Sequence, residues 1–384
     1  MILCDFGPLP GTTLFADPRA LIVAQTPDQV MPALAAADLA RRQGHWVAGY
    51  LSYEAGFALE PKLRVPGTVT DTPLVAFGVY DAPQPAPNPE PTATPARLTP
   101  LRPAVSRAAY ARAFDTVKAY IAAGDCYQIN LTFPLTSRLT GTPVDLYHTL
   151  AARQAVGYGA CLNLGTGPAI ISRSPELFVR LDATGRIETR PMKGTAPRDP
   201  DPVRDAALAA SLHASEKARA ENLMIVDLLR NDIARIARIG SVRVPELFAI
   251  DSFATLHQMS SRITGQLADP ASLQTLMPAL FPCGSITGAP KIRAMQIIAE
   301  VEPHPRGAYC GAIGWMAPDG SAAFSVAIRT LSVFPDGAVR LNVGGGVVHD
   351  STEDGEWTEA LWKTAYATGI SGGIDLQLDP QIDR

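Results

Sequence analysis

Acidic residues on two separate predicted helices are the first candidates for chemistry in this sequence. Glu221 begins the apolar segment ENLMIVDLLRND, and Glu356, Glu359 and Lys363 follow one another at helical spacing near the C-terminal end. Residues three or four positions apart share one face of a helix. Carboxylates from two helices are typical ligands of Mg²⁺ when substrate and water supply its remaining oxygens. An ordinary surface pair between Glu359 and Lys363, with Glu221 only favouring a helix start, explains the same spacing.

A second motif joins glycines, hydroxyl side chains and a lysine ahead of a predicted helix. The segment FPCGSITGAPK contains Ser285, Thr287, Gly288 and Lys291. Backbone N–H groups and a lysine at a helix N-terminus suit a carboxylate or a phosphate. The segment is not a P-loop, because two residues separate its second glycine from the lysine. A capped turn without any ligand explains the motif equally well.

Three consecutive glycines and one arginine are further candidates for binding an anion. Gly344, Gly345 and Gly346 lie in a strand-like run, and glycines let backbone N–H groups approach a ligand closely. A β-bulge is the alternative explanation. Arg329 ends the segment AFSVAIRT. Its guanidinium suits a bidentate contact with a carboxylate, and a buried structural ion pair is the alternative.

A lysine in the segment PMKGT is the candidate nucleophile. Lys193 precedes Gly194 and Thr195, which predicts a tight turn. A lysine amine becomes nucleophilic where removal from water lowers its pKa. A solvated lysine in a turn is the simpler explanation of this motif alone. Only six of the 33 basic residues are lysines, so each of them is a candidate for a role that needs a compact ammonium.

Short strands and helices that alternate irregularly must position these groups. Strand-like runs often follow one another directly, which favours an α+β fold with antiparallel pairing over a doubly wound sheet. Helices are predicted over residues 27–42, 106–123, 202–239 and 351–368. A strand is predicted over residues 322–333.

A proline-rich segment is the best candidate for a boundary. Eight prolines fall within residues 83–103, which excludes a helix or a central strand and predicts an extended connector. The sequence therefore predicts an N-terminal part of the fold at residues 1–82. The larger region at 104–384 then carries the candidate chemistry.

Composition narrows the possible classes of function. The chain has 384 residues, 47% of them hydrophobic and 18% charged, which excludes a disordered chain. A net charge of -4 without a long basic run argues against a nucleic-acid partner. No apolar run reaches the roughly 20 residues that span a bilayer, and the first residues do not resemble a secretory signal, so we expect no membrane association. Five scattered cysteines predict free thiols and a cytoplasmic location.

Taken in order, these segments resemble those of the chorismate-utilising enzymes. This family includes anthranilate synthase component I, aminodeoxychorismate synthase component I, and the isochorismate and salicylate synthases. The resemblance covers almost everything after residue 105, in the segments GDCYQINL, SPELF, RPMKGT, ENLMIVDLLRND, GSITGAPKIRAMQII, RGAYCGAIGW, AIRT, GGGVVHDS and EWTEALWK. It implies an α+β fold of two packed, mainly antiparallel β-sheets wrapped by helices.

The resemblance also implies a role for each candidate residue. It assigns Mg²⁺, which binds the ring carboxylate of chorismate, to Glu221 and Glu359, with Glu356 close by. It assigns catalysis to Lys193 and Thr195. The substrate contacts that it implies are Ser285, Thr287, Gly288, Lys291, Tyr309, Arg329, Gly344, Gly345, Gly346 and Lys363.

Three positions resemble the branch of the family that forms 4-amino-4-deoxychorismate. Lys193 stands where that branch has the lysine that attacks ring C2, whereas anthranilate synthases usually have alanine there. Gln128 replaces the water-activating lysine of isochorismate and salicylate synthases, and glutamine has no useful basicity. Gln258 stands where anthranilate synthases have a histidine that assists pyruvate elimination, but a shift of one residue would place His257 there.

The same resemblance implies partners. Nothing in the sequence resembles a Cys–His–Glu glutaminase, so a separate glutamine amidotransferase subunit is expected to supply ammonia. A separate aminodeoxychorismate lyase is expected to convert the product to 4-aminobenzoate for folate synthesis. The alternatives are anthranilate synthase component I and a non-catalytic homologue that binds an aromatic ligand.

Overall fold

The computed structural model describes residues 1–63, 70–87, 95–253 and 256–376, and they form two β-sheets and surrounding helices. The strands are β1 (Ile2–Cys4), β2 (Thr13–Phe15), β3 (Ala20–Ala24), β4 (Trp46–Leu51), β5 (Val75–Tyr80), β6 (Gln84–Pro85), β7 (Arg97–Leu98), β8 (Arg102–Pro103), β9 (Gln128–Thr140), β10 (Tyr158–Leu162), β11 (Ala169–Ser174), β12 (Leu177–Leu181), β13 (Arg186–Arg190), β14 (Met192–Pro197), β15 (Arg243–Ser252), β16 (Leu256–Gln266), β17 (Gly288–Ala289), β18 (Ala312–Met316), β19 (Ala322–Val326), β20 (Thr330–Val333) and β21 (Ala338–Val347). The helices are α1 (Pro27–Arg42), α2 (Ala55–Leu59), α3 (Arg107–Ala122), α4 (Pro143–Arg153), α5 (Pro202–Ala214), α6 (Glu216–Ala234), α7 (Leu273–Leu280), α8 (Lys291–Val301), α9 (Glu353–Trp362) and α10 (Ala365–Ser371), with a 3₁₀ turn at Gly284–Ile286.

Both sheets are antiparallel, and each combines strands from distant parts of the chain. The first sheet has the order β17-β9-β21-β20-β11-β10-β1-β2-β6, with β7 and β8 also paired to β9. The second has the order β14-β16-β13-β12-β19-β18-β4-β5-β3, with β15 also paired to β16. Large side chains such as Phe77, Leu135 and Phe324 are fully buried in the core. The predicted α+β fold of two antiparallel sheets with surrounding helices is therefore confirmed.

The N-terminal residues belong to both sheets. Strand β1 pairs with β10 in the first sheet, and β4 pairs with β18 in the second. Among its described residues, the proline-rich connector contains the short strands β6, β7 and β8. Residues 88–94 lie outside the described residues, and the division of the chain at 83–103 stays a prediction.

Local capping explains why two helices lie where the sequence predicts them. Helix α1 covers the predicted residues, and the Gln29 side chain accepts from the backbone N–H of Thr26 at 3.2 Å. Helix α3 follows Ser106, whose hydroxyl accepts from the Ala109 N–H at 3.1 Å. Capping side chains satisfy N–H groups that have no partner inside the helix. These two starts are therefore specified by nearby residues.

The long helix predicted over 202–239 is wrong in its extent. Helix α5 ends at Ala214, and Ser215 takes an extended backbone conformation between the two helices. The hydroxyl of Ser215 accepts from the Ala218 N–H at 3.2 Å and caps α6, which ends at Ala234. The break turns α6 so that Glu221 lines the cavity described below.

The last predicted helix and the strand predicted at 322–333 are also interrupted. The helix divides into α9 and α10 around Lys363 and Thr364. Strands β19 and β20 are separated at Arg329, whose φ of 50 places it in the left-handed region. A non-glycine residue there is uncommon and reorients the chain. Arg329 consequently leaves the strand and lines the cavity.

The sequence predicts that no helix crosses a membrane and that the cysteines are free thiols. None of the helices in the described ranges is both long enough and apolar enough to cross a membrane. All five cysteines are buried and unpaired, as the sequence predicts. Burial raises the pKa of Cys283 to about 12, so this thiol stays protonated near neutral pH.

Candidate active site

One large cavity collects most of the predicted site residues. It has a volume of about 800 Å³, and both sheets together with α6 and α9 contribute to its lining. Eleven predicted residues line it: Lys193, Thr195, Glu221, Ser285, Tyr309, Arg329, Gly344, Gly346, Glu356, Glu359 and Lys363. These residues are spread over more than 170 positions of sequence. The two sheets therefore assemble the predicted acids, cations and glycines around one space.

Three predicted substrate contacts lie outside this lining. The Thr287 hydroxyl donates to the Cys283 carbonyl at 3.1 Å, and a Cβ at Gly288 would lie 2.1 Å from a backbone oxygen. Both residues thus shape the turn before α8. The Lys291 ammonium donates to Asp232 at 2.6 Å and to the Leu280 carbonyl at 2.9 Å. None of these three residues lines the cavity, and their binding roles stay predictions.

Gly345 also lies outside the lining, but it leaves room for the charged groups of α9. A Cβ at Gly345 would lie 2.7 Å from Glu356 Oε2, 3.4 Å from Lys363 Nζ and 3.8 Å from Glu359 Oε1. Any side chain would therefore displace the Glu356 carboxylate. The glycine run allows strand β21 and helix α9 to approach closely at this point.

The acidic residues form an incomplete but suitable set for a divalent cation. Within the described ranges, no three His, Cys, Asp or Glu side chains form a metal cluster by themselves. Glu356 Oε2 and Glu359 Oε1 nevertheless both lie within 4 Å of the Cβ position that Gly345 leaves open. Glu221 lines the same cavity from α6. Mg²⁺ commonly takes one or two carboxylates and completes its shell with substrate and water, so these residues fit it.

The two carboxylates of α9 have different electrostatic surroundings. Burial raises the pKa of Glu356, although the Ser351 hydroxyl donates to it at 2.6 Å. Burial acts in the same sense on Glu359, but the Lys363 ammonium at 2.9 Å outweighs it and lowers the pKa of Glu359. Lys363 also donates to the Gly344 carbonyl at 2.8 Å. Glu359 is therefore the more firmly ionised of the two.

Lys193 enters the cavity from an irregular part of the second sheet. The pairing of β14 with β16 shifts register between Met192 and Thr195, and Gly194 has a φ of +87. Such a bulge redirects a side chain from its regular position. In the part of the chain that the structure describes, the Lys193 ammonium has no hydrogen-bond or ion-pair partner. Burial lowers the pKa of Lys193, and the nearby positive charge of Lys363 adds to this effect.

Glu176, to which the sequence motifs assign no role, lies beside Lys193. Glu176 lines the cavity, is 5% exposed, and has one carboxylate oxygen without any partner. Burial raises its pKa to about 7, while hydrogen bonding to Ser285 and to the Met192 N–H and the nearby positive charge of Lys193 act in the opposite direction. A carboxyl group with this pKa can donate a proton near neutral pH. Its signal in the sequence is a lone acid between the apolar strands β11 and β12.

Arg329 is the cation best placed to receive a carboxylate. It lines the cavity, and among the described residues its guanidinium has no hydrogen-bond or ion-pair partner. Burial lowers the pKa of Arg329. The hydroxyl of Tyr366, on the same cavity wall, is buried without a partner as well. Buried polar groups normally find partners, so this pair indicates an anionic ligand with a hydrogen-bond acceptor.

The structure decides which of two neighbouring residues faces the cavity. Gln258 lines it and donates to the Gly194 carbonyl at 2.9 Å. His257 points the other way, is 2% exposed, and contacts Asp205 and Ser252, each at 2.8 Å. Successive residues of a strand face opposite sides, so only one of the two can reach the cavity. His257 is therefore not placed to act on a ligand there.

Gln128 is buried immediately behind the glycine run. It is 1% exposed, and neither atom of its side-chain amide has a partner. A Cβ at Gly346 would lie 2.9 Å from the Gln128 amide. Asn130 and Gly346, which are paired across β9 and β21, both line the cavity. Gln128 thus shares the face of β9 that meets the cavity.

Comparison with known sequences gives close relatives over most of the chain. Aminodeoxychorismate synthase component 1 of Salmonella typhimurium is 45% identical over 274 residues, which are 71% of this chain and 60% of that protein. The Escherichia coli protein of the same name is 45% identical over 67% of this chain and 56% of its own length. Anthranilate synthase component 1 of Streptomyces coelicolor is 44% identical over 64% of this chain and 48% of that protein. The matches thus span about half of these relatives or slightly more.

Comparison with solved structures finds similar folds over nearly the whole chain. Anthranilate synthase component I from Streptococcus pneumoniae superposes with a TM-score of 0.80 at 25% identity, covering 94% of this chain and 91% of that one. A protein from Bacillus anthracis, described as a 2,3-dihydroxybenzoate-specific isochorismate synthase, superposes with a TM-score of 0.76 at 24% identity. The match covers 97% of this chain and 96% of that one. Residues 3–368 match the family described as chorismate binding enzyme. With these matches over nearly its entire length, the chain belongs to the family of chorismate-binding enzymes.

Proposed function

We propose that this chain converts chorismate and ammonia to 4-amino-4-deoxychorismate, as component I of an aminodeoxychorismate synthase. The observation that carries the proposal is Lys193, which enters the cavity without a partner and with a lowered pKa. An enclosed neutral amine is a nucleophile, whereas a paired ammonium is not. The relatives named aminodeoxychorismate synthase component 1 support the same activity.

The proposed first step uses Lys193 and Glu176 together. The Lys193 amine attacks ring C2 of chorismate, the two ring double bonds shift, and the bond from C4 to its hydroxyl breaks. Glu176 donates the proton that lets the hydroxyl leave as water. The carboxylate of Glu176 then holds a negative charge beside the alkylated lysine, where opposite charges favour each other. Arg329 and Tyr309 are proposed to hold a substrate carboxylate and the ring in place.

The second step releases the lysine. Ammonia attacks C4, the double bonds shift back, and the bond between C2 and the Lys193 nitrogen breaks. Lys193 leaves as a neutral amine, and a proton from the new C4 ammonium returns to the Glu176 carboxylate, which restores both residues to their starting states. The sum is chorismate plus ammonia giving 4-amino-4-deoxychorismate plus water. Gln258 and Gln128 cannot act as bases, so neither pyruvate elimination nor attack by activated water is supported at this cavity.

Magnesium is part of the proposal, held by Glu221 and Glu359 with Glu356 close by. When bound, Mg²⁺ supplies electrostatic stabilisation for the negative charge that develops on the ring carboxylate. Thr195 and Ser285 line the same cavity and are proposed to contact the substrate through their hydroxyl groups. Gly344 and Gly346 offer backbone groups on the opposite strand.

We also propose two partner proteins, and the names of the relatives point to the first of them. The words component 1 in those names imply a second component, and we propose that it is a glutamine amidotransferase that supplies ammonia. A separate aminodeoxychorismate lyase would then convert the product to 4-aminobenzoate for folate synthesis. Five unpaired cysteines fit the reducing environment of the cytoplasm, where we propose that the reaction occurs.

Product analysis with ammonium salt distinguishes this activity from its alternative. The purified chain is incubated with chorismate, Mg²⁺ and an ammonium salt, with and without added aminodeoxychorismate lyase. The proposal predicts an amino product that becomes 4-aminobenzoate only with the lyase. Anthranilate without the lyase would instead establish anthranilate synthase component I, the alternative favoured by the Streptomyces coelicolor relative.

A further inference from the structure

Lys118, a residue outside the cavity, binds the loop that leads to the acidic helix α9. Its ammonium donates to the carbonyl oxygens of Val348, at 3.3 Å, His349, and Ser351, at 3.2 Å. These three residues lie between strand β21 and helix α9. An ammonium has three N–H donors, so one lysine satisfies three converging carbonyls. We refer to residues 348–352 as the β21–α9 loop.

The β21–α9 loop positions a carboxylate of the cavity. The Ser351 hydroxyl donates to Glu356 Oε1 at 2.6 Å and accepts from the Val348 N–H at 3.0 Å. The Ser351 N–H donates back to the Val348 carbonyl at 3.1 Å. Val348, Ser351 and Glu356 all line the cavity. A single short loop therefore connects the Lys118 ammonium to the orientation of the Glu356 carboxylate.

Helix α3, which carries Lys118, supports α9 from outside the cavity. At its start, Arg107 forms an ion pair with Glu353 at 2.7 Å and stacks on Trp357 at 4.8 Å. Tyr110 contacts the same tryptophan ring at 5.1 Å. None of the residues of α3 appears among those that line the cavity. Lys118, one turn from the end of α3, thus contacts the site only through the loop.

The geometry of the three carbonyls explains why a lysine stands at this position. Lysine carries its donors on one nitrogen, whereas the donors of arginine are spread over a planar fork. Three carbonyls that converge on one point match the first arrangement. The chain uses arginine for 27 of its 33 basic residues, so a lysine here fits the expectation that the few lysines hold specific roles.

We propose that Lys118 is a positioning residue that holds the β21–α9 loop and, through Ser351, fixes the Glu356 carboxylate for the cation and the substrate. It touches neither of them. The part of this inference that concerns the cation rests on the proposed function, because it takes Glu356 as part of a Mg²⁺ site. The part that concerns the loop rests only on the hydrogen bonds described above.

Hydrogen exchange of the metal-free protein tests the loop directly. Lys118→Met retains the apolar stem but removes all three donors. We expect the amides of Val348 and Ser351 to exchange at least about tenfold faster in this variant, because the loop opens more often without its anchor. Lys62→Met, at an exposed lysine, is the matched control and should leave these two amides unchanged. Exchange in Lys118→Met at the wild-type rate would overturn the proposal.

Binding of Mn²⁺, followed by electron paramagnetic resonance, tests the consequence for the cation. Lys118→Ala should weaken Mn²⁺ binding by about tenfold, as is common when a supporting contact behind a metal ligand is lost. Potassium ions should restore binding in Lys118→Ala, where three carbonyls face a space of ammonium size, but not in Lys118→Met. Tetramethylammonium, at equal ionic strength, should have no effect on either variant.

The two measurements separate failure of this inference from failure of the proposed function. Wild-type protein that does not bind Mn²⁺ would contradict the metal site, and hydrogen exchange would still decide the role of Lys118. Wild-type binding with unchanged affinity in both Lys118 variants would contradict the positioning role alone. A fall in affinity that potassium does not reverse in Lys118→Ala would overturn the carbonyl anchor as its cause.

Discussion

Two lysine segments that look alike in the sequence have opposite surroundings in the structure. Lys193 and Lys291 both lie in short motifs with glycine and a hydroxyl residue, and the sequence predicts Lys193 as the nucleophile and Lys291 as a substrate contact. The Lys291 ammonium is fixed by Asp232 and the Leu280 carbonyl outside the cavity lining. Lys193 enters the cavity, and in the described part of the chain nothing pairs with it. Partners that are distant in sequence therefore distinguish a lysine held in an ion pair from one without such a partner.

The difference has a simple electrostatic basis. The Lys291 ammonium on α8 lies 2.6 Å from the Asp232 carboxylate on α6, and this ion pair links the two helices. An enclosed ammonium without such a partner loses its proton more easily, and the pKa of Lys193 is lowered accordingly. Only the second kind of lysine is poised to attack an electrophile. Substitutions at the two lysines and at their charged neighbours test this contrast.

Replacing Lys193 should have the largest effect. We expect Lys193→Ala to bind chorismate but to lose formation of the amino product by about 10³-fold or more, because the amine proposed to attack ring C2 is removed. Lys193→Arg should be equally inactive, since its guanidinium stays protonated. Steady-state turnover with ammonium salt, with chorismate binding measured by calorimetry, provides the check. Wild-type turnover by Lys193→Ala would show that Lys193 is not the nucleophile and would contradict the contrast drawn between Lys193 and Lys291.

Glu176 should have the next largest effect and should change the pH dependence. The active form needs a neutral Lys193 and a protonated Glu176. Acid protonates the amine, and alkali deprotonates the carboxyl group, whose pKa burial raises to about 7, so turnover should fall on both sides of an optimum. We expect Glu176→Gln to lose about 10²–10⁴-fold in rate and to lose the alkaline decline. An unchanged pH profile in this variant would exclude Glu176 as the acid.

The carboxylates proposed for Mg²⁺ should have intermediate effects. Glu359→Gln should raise the Mg²⁺ concentration needed for half-maximal activity by about 10–100-fold, because a neutral amide is a weaker ligand. Glu221→Gln should behave in the same way. Asp227→Asn, at an exposed carboxylate of α6 paired with Arg230, is the control and should respond to Mg²⁺ as wild type does. A wild-type Mg²⁺ response in Glu359→Gln would contradict the assignment.

Lys291 should have the smallest effect on turnover and the clearest effect on stability. Lys291→Met leaves Asp232, which is 4% exposed, without its partner, so the free energy of unfolding should fall by about 2–4 kcal/mol. The turnover number of the folded variant should stay within about threefold of wild type. Adding Asp232→Asn should recover part of the lost stability in urea unfolding. A large loss of turnover without loss of stability would instead show that Lys291 contacts the substrate.

The sequence predicts those parts of the fold that depend on neighbouring residues. The bounds of α1 follow from its cap and its apolar spacing, and the start of α3 follows from Ser106. The breaks at Ser215 and Arg329 are not predictable in this way. Serine is compatible with a helix, and Arg329 has a positive φ that its own residue type disfavours. Tertiary packing outweighs local preference at both positions.

The candidate site is predictable where a motif places its residue directly in the cavity. Lys193, Tyr309 and the acids of α9 belong to this group. Glu176 has only the weak signal of a lone acid between two apolar strands, and Lys118 has no distinctive local pattern. Their importance comes from burial beside Lys193 and from three carbonyls more than 200 residues away. Sequence spacing contains no information on either kind of contact. The structure was needed to find both.

The most direct test of the account is whether chorismate becomes attached to Lys193. The purified chain is mixed with chorismate and Mg²⁺ without ammonia, quenched, and examined by intact mass and peptide mapping. We expect a mass gain equal to chorismate less one water, located on Lys193, that disappears on addition of ammonium as 4-amino-4-deoxychorismate forms. Product formation with Lys193 unmodified throughout, or a gain located on another residue, would contradict it.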